Sequence, residues 1–339
     1  MLLKKIYLEN FRSYPKKIFE FNGEITLVVG PNTAGKSNLM ESIFLLAFGT
    51  SPWATLDQEM LRGGAKLGFV RAAFEGGDKR ELEVILTGNG KRFRVNGVGR
   101  RLSDFSQHFH AVLFSPQDLN LVTGAPDLRR RFVDFALGST SLEYARTLRE
   151  YEKVRKRRNR LLEQIKKSKS SEDELGFWDA KLLEYGVPLQ DSRKEFFDEV
   201  NGDLRTERLE LSYILSGLTA ERLRDSRTRE IAAETSLIGP HRDDFSFFSG
   251  ERDLSGYGSR GEQRRAVLVL KRAELGYVER RIGYRPLLLL DDIFSELDKK
   301  NRAGVFELID GGQGQVIITT ANPEQVPTET LRELRVIEL

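Results

Sequence analysis

An α/β fold interrupted by a helical arm is predicted by three features of the 339-residue sequence. Short apolar runs separated by turn signals fill both ends of the chain. One of them, Leu287 to Leu290, is continuously apolar, as expected of a parallel strand buried on both faces. Between the ends, from Ser139 to Glu234, the sequence is charged and helix-periodic. Residues 1–138 and 235–339 are therefore read as one mixed-sheet domain, and 139–234 as an inserted arm.

Strands are expected at Leu2 to Leu8, Lys17 to Phe21, Glu24 to Val29, Phe69 to Phe74, Glu81 to Leu86, Arg92 to Val95 and His110 to Phe114. One helix stands among them, Lys36 to Phe48, where Leu39, Ile43, Leu46 and Ala47 share a face. In the arm, Ala145, Leu148, Tyr151, Leu162 and Ile165 mark one stripe; Trp178, Leu182, Tyr185, Leu189, Phe196, Val200 and Leu204 mark another. The apolar-free Ser168 to Asp173 lies between them, so two antiparallel helices joined by a turn are expected. Gly186 and Pro188 should kink or break the second helix. Beyond it, Leu209 to Leu215 alternates as a strand, and the sheet pattern resumes at Phe245 to Phe248, Leu287 to Leu290 and Val316 to Thr319. Helices are expected from about Arg260 to Arg280 and from Lys299 to Ile309.

The absence of cysteine excludes disulfides and thiolate metal sites. No apolar run is long enough to span a bilayer, and the N-terminus lacks the pattern of a secretion signal, so a cytoplasmic address is expected. Net charge is only +3, yet Arg146 to Lys169 holds eleven Lys or Arg against three Glu. That stretch, with Arg155, Lys156, Arg157, Arg158 and Arg160 at its centre, is a candidate for DNA phosphate contact; its other reading is an ordinary solvated helix face. Arg129, Arg130 and Arg131 are open to the same two readings. His108 and His110 share strand spacing, but no further His nearby completes a metal site.

Two motifs carry chemistry. Gly30, Pro31, Asn32, Thr33, Ala34, Gly35, Lys36 and Ser37 fit GxxxxGK[ST], directly after a strand and at the mouth of a helix. The glycines let backbone N–H groups converge on phosphate oxygens, Lys36 supplies charge for the outer phosphates and Ser37 a hydroxyl for Mg²⁺. A glycine-rich turn before a helix is the plainer alternative, and the strand-loop-helix context weighs against it. The second motif is the run Leu287 to Leu290 ending in Asp291 and Asp292, which suits a carboxylate on Mg²⁺ (Asp291) and one that polarises water (Asp292).

Ser259, Arg260, Gly261, Glu262 and Gln263 resemble the signature sequence of the ABC class of ATPases, and Ser295 to Asp298 resemble its D-loop. Within that class the chain resembles the RecF family, relatives of the SMC ATPases. The likeness rests on Asn10 to Ser13, Phe114 to Phe132, Gly239 to Phe245 (GPHRDDF) and Leu289 to Asp298. It implies an ABC-type head whose P-loop faces the signature helix of a second copy, hence an ATP-dependent homodimer with Ser259, Gly261 and Gln263 near nucleotide. It also places Arg12 and Asn38 near the nucleotide and Gln117 in the Q-loop, as a catalytic and Mg²⁺-linked residue. Further implications are a slow, DNA-stimulated ATPase acting in recombinational repair at single-stranded gaps, with RecR and RecO as partners in RecA loading. Asp292 stands where transport ATPases carry Glu, and the strand end Thr319, Thr320 where they carry His, which suits slow turnover.

Three other readings compete. A transporter's nucleotide-binding subunit is disfavoured by the separation of 223 residue numbers from Lys36 to Ser259 and by the polar arm. A mechanical ATPase with a long coiled coil is disfavoured by interruption of the heptads between Tyr151 and Leu161. A non-hydrolysing ATP-dependent DNA clamp differs from the leading reading only in turnover.

Overall fold

The computed structural model describes residues 2–76, 79–297, 299–310, 314–326 and 334–339. Its elements begin with β1 (Leu2–Phe11), β2 (Tyr14–Glu20), β3 (Ile25–Val29), α1 (Lys36–Phe48), β4 (Leu67–Glu75), β5 (Arg80–Thr87), β6 (Gly90–Val95), β7 (Val98–Arg100), α2 (Leu102–Phe105) and β8 (Ala111–Phe114). Next come α3 (Pro126–Thr140), α4 (Leu142–Lys166), α5 (Leu175–Arg205), β9 (Glu210–Ile214), α6 (Ala220–Ala233), β10 (Asp244–Ser249), β11 (Arg252–Asp253), α7 (Leu254–Tyr257) and α8 (Arg260–Ile282). The chain closes with β12 (Leu287–Asp291), α9 (Ile293–Glu296), α10 (Lys299–Asp310), β13 (Val316–Thr320) and β14 (Arg335–Glu338).

These elements form two compact units, 1–120 with 267–339, and 121–266. The first holds two sheets: an antiparallel one ordered β2-β1-β4-β5-β6-β7, and a parallel one ordered β14-β3-β13-β12-β8. Helix α1 touches β1, β4 and β5 of one sheet and β8, β12 and β13 of the other. It is apolar nearly all round because it is covered on both sides, with Leu39, Met40, Ile43, Leu45 and Leu46 fully buried. In the parallel sheet, β12 is buried at every position, which accounts for its unbroken leucines. Parallel strands also place all their C-terminal ends on one edge, so the segments after β3, β8, β12 and β13 converge there.

The second unit contains the expected arm, 139–234, and in addition α3, the sheet β11-β10-β9 and the start of α8. Helices α4 and α5 are antiparallel, since Arg158 meets Asp179, Tyr151 approaches Gly186 and Tyr144 meets Arg193. Each step of seven residues up α4 is matched by seven down α5, the spacing of a coiled-coil seam. The heptads therefore run on through Tyr151 to Leu161, contrary to expectation. The seam position there is filled by the buried Arg158 and so lacks an apolar signature. Nor is α5 broken at Gly186 or Pro188: the helix is continuous from Leu175 to Arg205. Gly186 serves close approach instead, because a Cβ there would lie 2.4 Å from Leu218 and 3.0 Å from the Tyr151 ring. Pro188 is tolerated on the exposed face.

Candidate nucleotide site

The loop after β3 turns into α1 through Gly35, whose φ of 104° favours glycine. Thr33 also takes a positive φ of 76°, a strained choice for a β-branched residue. Lys36 is 6% exposed, and its ammonium donates to the carbonyls of Gly30 (2.7 Å) and Pro31 (3.0 Å). Pro31, Asn32, Thr33 and Ser37 are exposed around it, and Ala34 is half-buried. The first amides of α1 lack intrahelical acceptors, so the loop presents donors and a cation together.

Asp291 arrives from β12, 254 residues along the chain from Ser37, and the two side chains meet at 3.3 Å. Parallel pairing sets Asp291 opposite Thr319 of β13, whose hydroxyl donates to the same carboxylate oxygen at 2.7 Å. Burial pushes the Asp291 carboxyl up, opposed by the hydroxyls of Thr319 and Ser37. Asp292 follows with φ 49°; its N–H reaches the carbonyl and hydroxyl of Thr319 at 3.1 and 3.0 Å, and its Oδ1 is buried without a partner. A buried, unpartnered carboxylate oxygen is costly unless something else binds it. The hard oxygens of Ser37 and Asp291 suit Mg²⁺. Among the described residues no three His, Cys, Asp or Glu converge on a metal.

The remaining candidates fall in several places. Asn38 donates to Ser13 Oγ at 2.8 Å. Arg12 is committed to Glu41 through Nε and Nη2, and to the Glu59 carbonyl through Nη1. Gln117 is exposed in the turn after β8, on the edge where β12 ends. Ser259 and Glu262 form a capping box at the start of α8: the Ser259 N–H and hydroxyl both reach the Glu262 carboxylate at 2.8 Å. Those bonds hold the Glu262 carboxyl down at about 2. Gly261 is exposed beside them, while Gln263 turns to the Leu254 carbonyl at 2.8 Å. Of the D-loop positions, Ser295 donates to the Asp292 carbonyl at 2.7 Å, and Asp298 lies outside the described residues.

The structure corrects the basic stretch. Arg158 is fully buried, bound to Asp179 (2.8 Å), Glu230 (2.6 Å) and Ser236 (3.0 Å), and cannot touch DNA. Arg155 is paired with Glu152. Lys156, Arg157 and Arg160 are exposed, with Arg157 lying over the Trp178 ring. Arg129 is an anchor: it grips Asp244 through two nitrogens and also donates to the Leu121 and Gly124 carbonyls. His110 Nδ1 lies 2.6 Å from the Tyr284 hydroxyl.

GPHRDDF proves to be a structural keystone of the second unit. Asp243, 1% exposed, accepts from Gln190, Arg193, Tyr213 and the Ser216 amide. His241 Nε2 donates to the Ser236 carbonyl and Nδ1 accepts from Tyr151, the tautomer this pairing requires. Sequence reasoning missed Glu41 and Tyr14 as supports of the site, and it missed the contact of Thr319 with Asp291. For Thr319 a signal existed, since two parallel strands ending in Asp and Thr bring those ends side by side.

The family described as RecF/RecN/SMC N terminal domain matches residues 2–336. The DNA replication and repair protein RecF of Halalkalibacterium halodurans is 34% identical, covering 100% of this chain and 98% of the relative. Its Bacillus thuringiensis counterpart is 33% identical, covering 100% and 97%. A solved structure described as the recombination mediator protein RecF with ATP in the RecFOR pathway aligns with TM-score 0.86 at 31% identity, over 96% of this chain and 93% of that one. An SMC head from Pyrococcus furiosus shares the fold at TM-score 0.53 and 16% identity, over 99% of this chain and 92% of that one. The chain therefore belongs to the RecF/RecN/SMC N-terminal domain family and is a RecF homologue.

Proposed function

We propose that the protein is an ATP-dependent DNA-binding protein of recombinational repair, with ATP driving homodimerisation on DNA and slow hydrolysis releasing it. The observation that carries the reading is the meeting of Ser37 and Asp291 beside the P-loop lysine, with a partnerless oxygen of Asp292 next to them. The Gly35–Lys36 loop and the α1 N-terminus would hold the phosphates, Lys36 exchanging its carbonyl partners for phosphate oxygens. Ser37 and Asp291 would hold Mg²⁺, which when bound neutralises phosphate charge. Asp292 orients and polarises a water molecule. Relatives named as DNA replication and repair proteins, and a solved RecF with ATP, support the cellular role. On the same family grounds, RecR and RecO are the expected partners in loading RecA at gaps, and Gln117 and the exposed signature residues Ser259 and Gly261 complete the site in the paired state. The described residues include no helix long and apolar enough to cross a membrane.

The test is molar mass in solution with Mg²⁺ and a non-hydrolysable ATP analogue, then with duplex DNA added. A monomer at micromolar concentration under saturation rules out the mechanism. Single-turnover hydrolysis with and without DNA then separates an ATPase from a non-hydrolysing clamp.

A further inference from the structure

Three consecutive residues of the β1–β2 turn grip α1 and the glycine that begins it. Arg12 binds Glu41 at 2.7 and 2.6 Å, Ser13 Oγ accepts from Asn38 at 2.8 Å, and the Tyr14 hydroxyl donates to the Gly35 carbonyl at 3.0 Å. Their targets fall at 35, 38 and 41, a spacing of three that lies along one helix face. The turn thus runs against that face in reverse order. Asn10 and Arg12 take φ of 50° and 49°, a conformation that non-glycine residues hold only when their surroundings enforce it. Glu41 is 1% and Tyr14 7% exposed, so water competes poorly for these bonds.

The contact at Gly35 has a directional effect. Carbonyl and amide of a trans peptide point opposite ways, so pinning the Gly35 carbonyl toward Tyr14 and Leu39 turns the Lys36 N–H out of the helix end. Tyr14 packs so closely on this position that only glycine fits, because a Cβ on Gly35 would sit 2.6 Å from the Tyr14 oxygen.

Building on the nucleotide reading above, we propose that Arg12, Ser13 and Tyr14 form a positioning clamp for the P-loop. Tyr14 presets the Lys36 amide for a triphosphate, and Glu41 holds the turn in place through Arg12. Arg12 fixes the turn through Nε and Nη2 on Glu41 and Nη1 on the Glu59 carbonyl. Because β1 and β2 are the edge pair of the antiparallel sheet, the clamp also ties that sheet to the nucleotide site.

The experiment compares Tyr14→Phe, Glu41→Gln, the double variant and Lys36→Ala for equilibrium ATP binding, steady-state hydrolysis and nucleotide-free melting. Tyr14→Phe is expected to weaken ATP binding about fivefold, the weight of one neutral hydrogen bond, and Glu41→Gln, which breaks a charge-assisted pair with Arg12, by more than that. The effect should fall in KM more than in kcat, and Tyr14→Phe should melt as the parent does. The double variant should lose less than the product of the two single losses, because both act through one turn. Parental ATP affinity in both single variants, alongside lost binding in Lys36→Ala, overturns the clamp alone. Parental binding in Lys36→Ala overturns the nucleotide reading and the clamp with it.

Discussion

Arg158, from the basic run, and His241, from GPHRDDF, both act as structural residues, and each makes a measurable claim. Arg158 neutralises Asp179 and Glu230 inside the second unit. Removing one partner from a buried charge network leaves the others uncompensated, so Arg158→Ala should cost about 3–5 kcal/mol in denaturant unfolding. Lys156→Ala and Arg160→Ala, on the exposed face, should leave stability unchanged and each lower the salt slope of duplex binding by about 0.9. Burial pushes the His241 imidazole down to about 3, so it stays neutral in the fold. The unfolded chain takes up that proton near pH 6.5, so stability is full above this value and falls as the pH drops toward 3. Between pH 7.5 and 5 the wild type should lose about 1–2 kcal/mol more than His241→Gln, measured by paired melts. Residue type alone could not separate these roles: an arginine in a basic run reads as solvated, and only its partners 21 and 72 positions away reveal a buried ion.

Helix α5 shows what pattern reading captures at the level of an element and what it loses. Its apolar stripe locates the helix correctly, because packing against α4 demands that periodicity. Breaker residues mislead there, since their effect depends on which face they occupy. Gly186 faces α4 and Leu218, where the missing Cβ permits contact, so Gly186→Ala should destabilise by roughly 1–3 kcal/mol through overpacking. Pro188, two residues on, is exposed and gives up one helical hydrogen bond without any packing gain. Pro188→Ala should therefore stabilise by about 1 kcal/mol or more. Opposite signs at neighbouring positions, measured by chemical unfolding, test the face assignment directly. Short strands such as β7, β11 and β14 escaped the sequence because pairing with β6, β10 and β3 defines them, not their own alternation.

At the scale of the whole molecule, the P-loop and its acidic partner lie far apart in the chain and meet only because β3, β13 and β12 are adjacent parallel strands. Motif order made that meeting legible in the sequence, whereas the supports around it, Tyr14, Glu41 and Thr319, carry no motif and depend on register. The proposed mechanism rests on two steps that separate by mutation. Lys36→Ala removes the cation that balances phosphate charge and should abolish ATP-dependent dimerisation together with stable DNA binding. Asp292→Asn keeps the shape and the metal-side Asp291 but cannot accept a proton from water. It should bind ATP as the parent does, slow turnover by about 10²-fold or more, and accumulate dimer in Mg²⁺-ATP. Light scattering in Mg²⁺-ATP with phosphate release measured in parallel decides the matter: a dimer that dissociates at the parental rate in Asp292→Asn would mean that hydrolysis at this carboxylate does not time release.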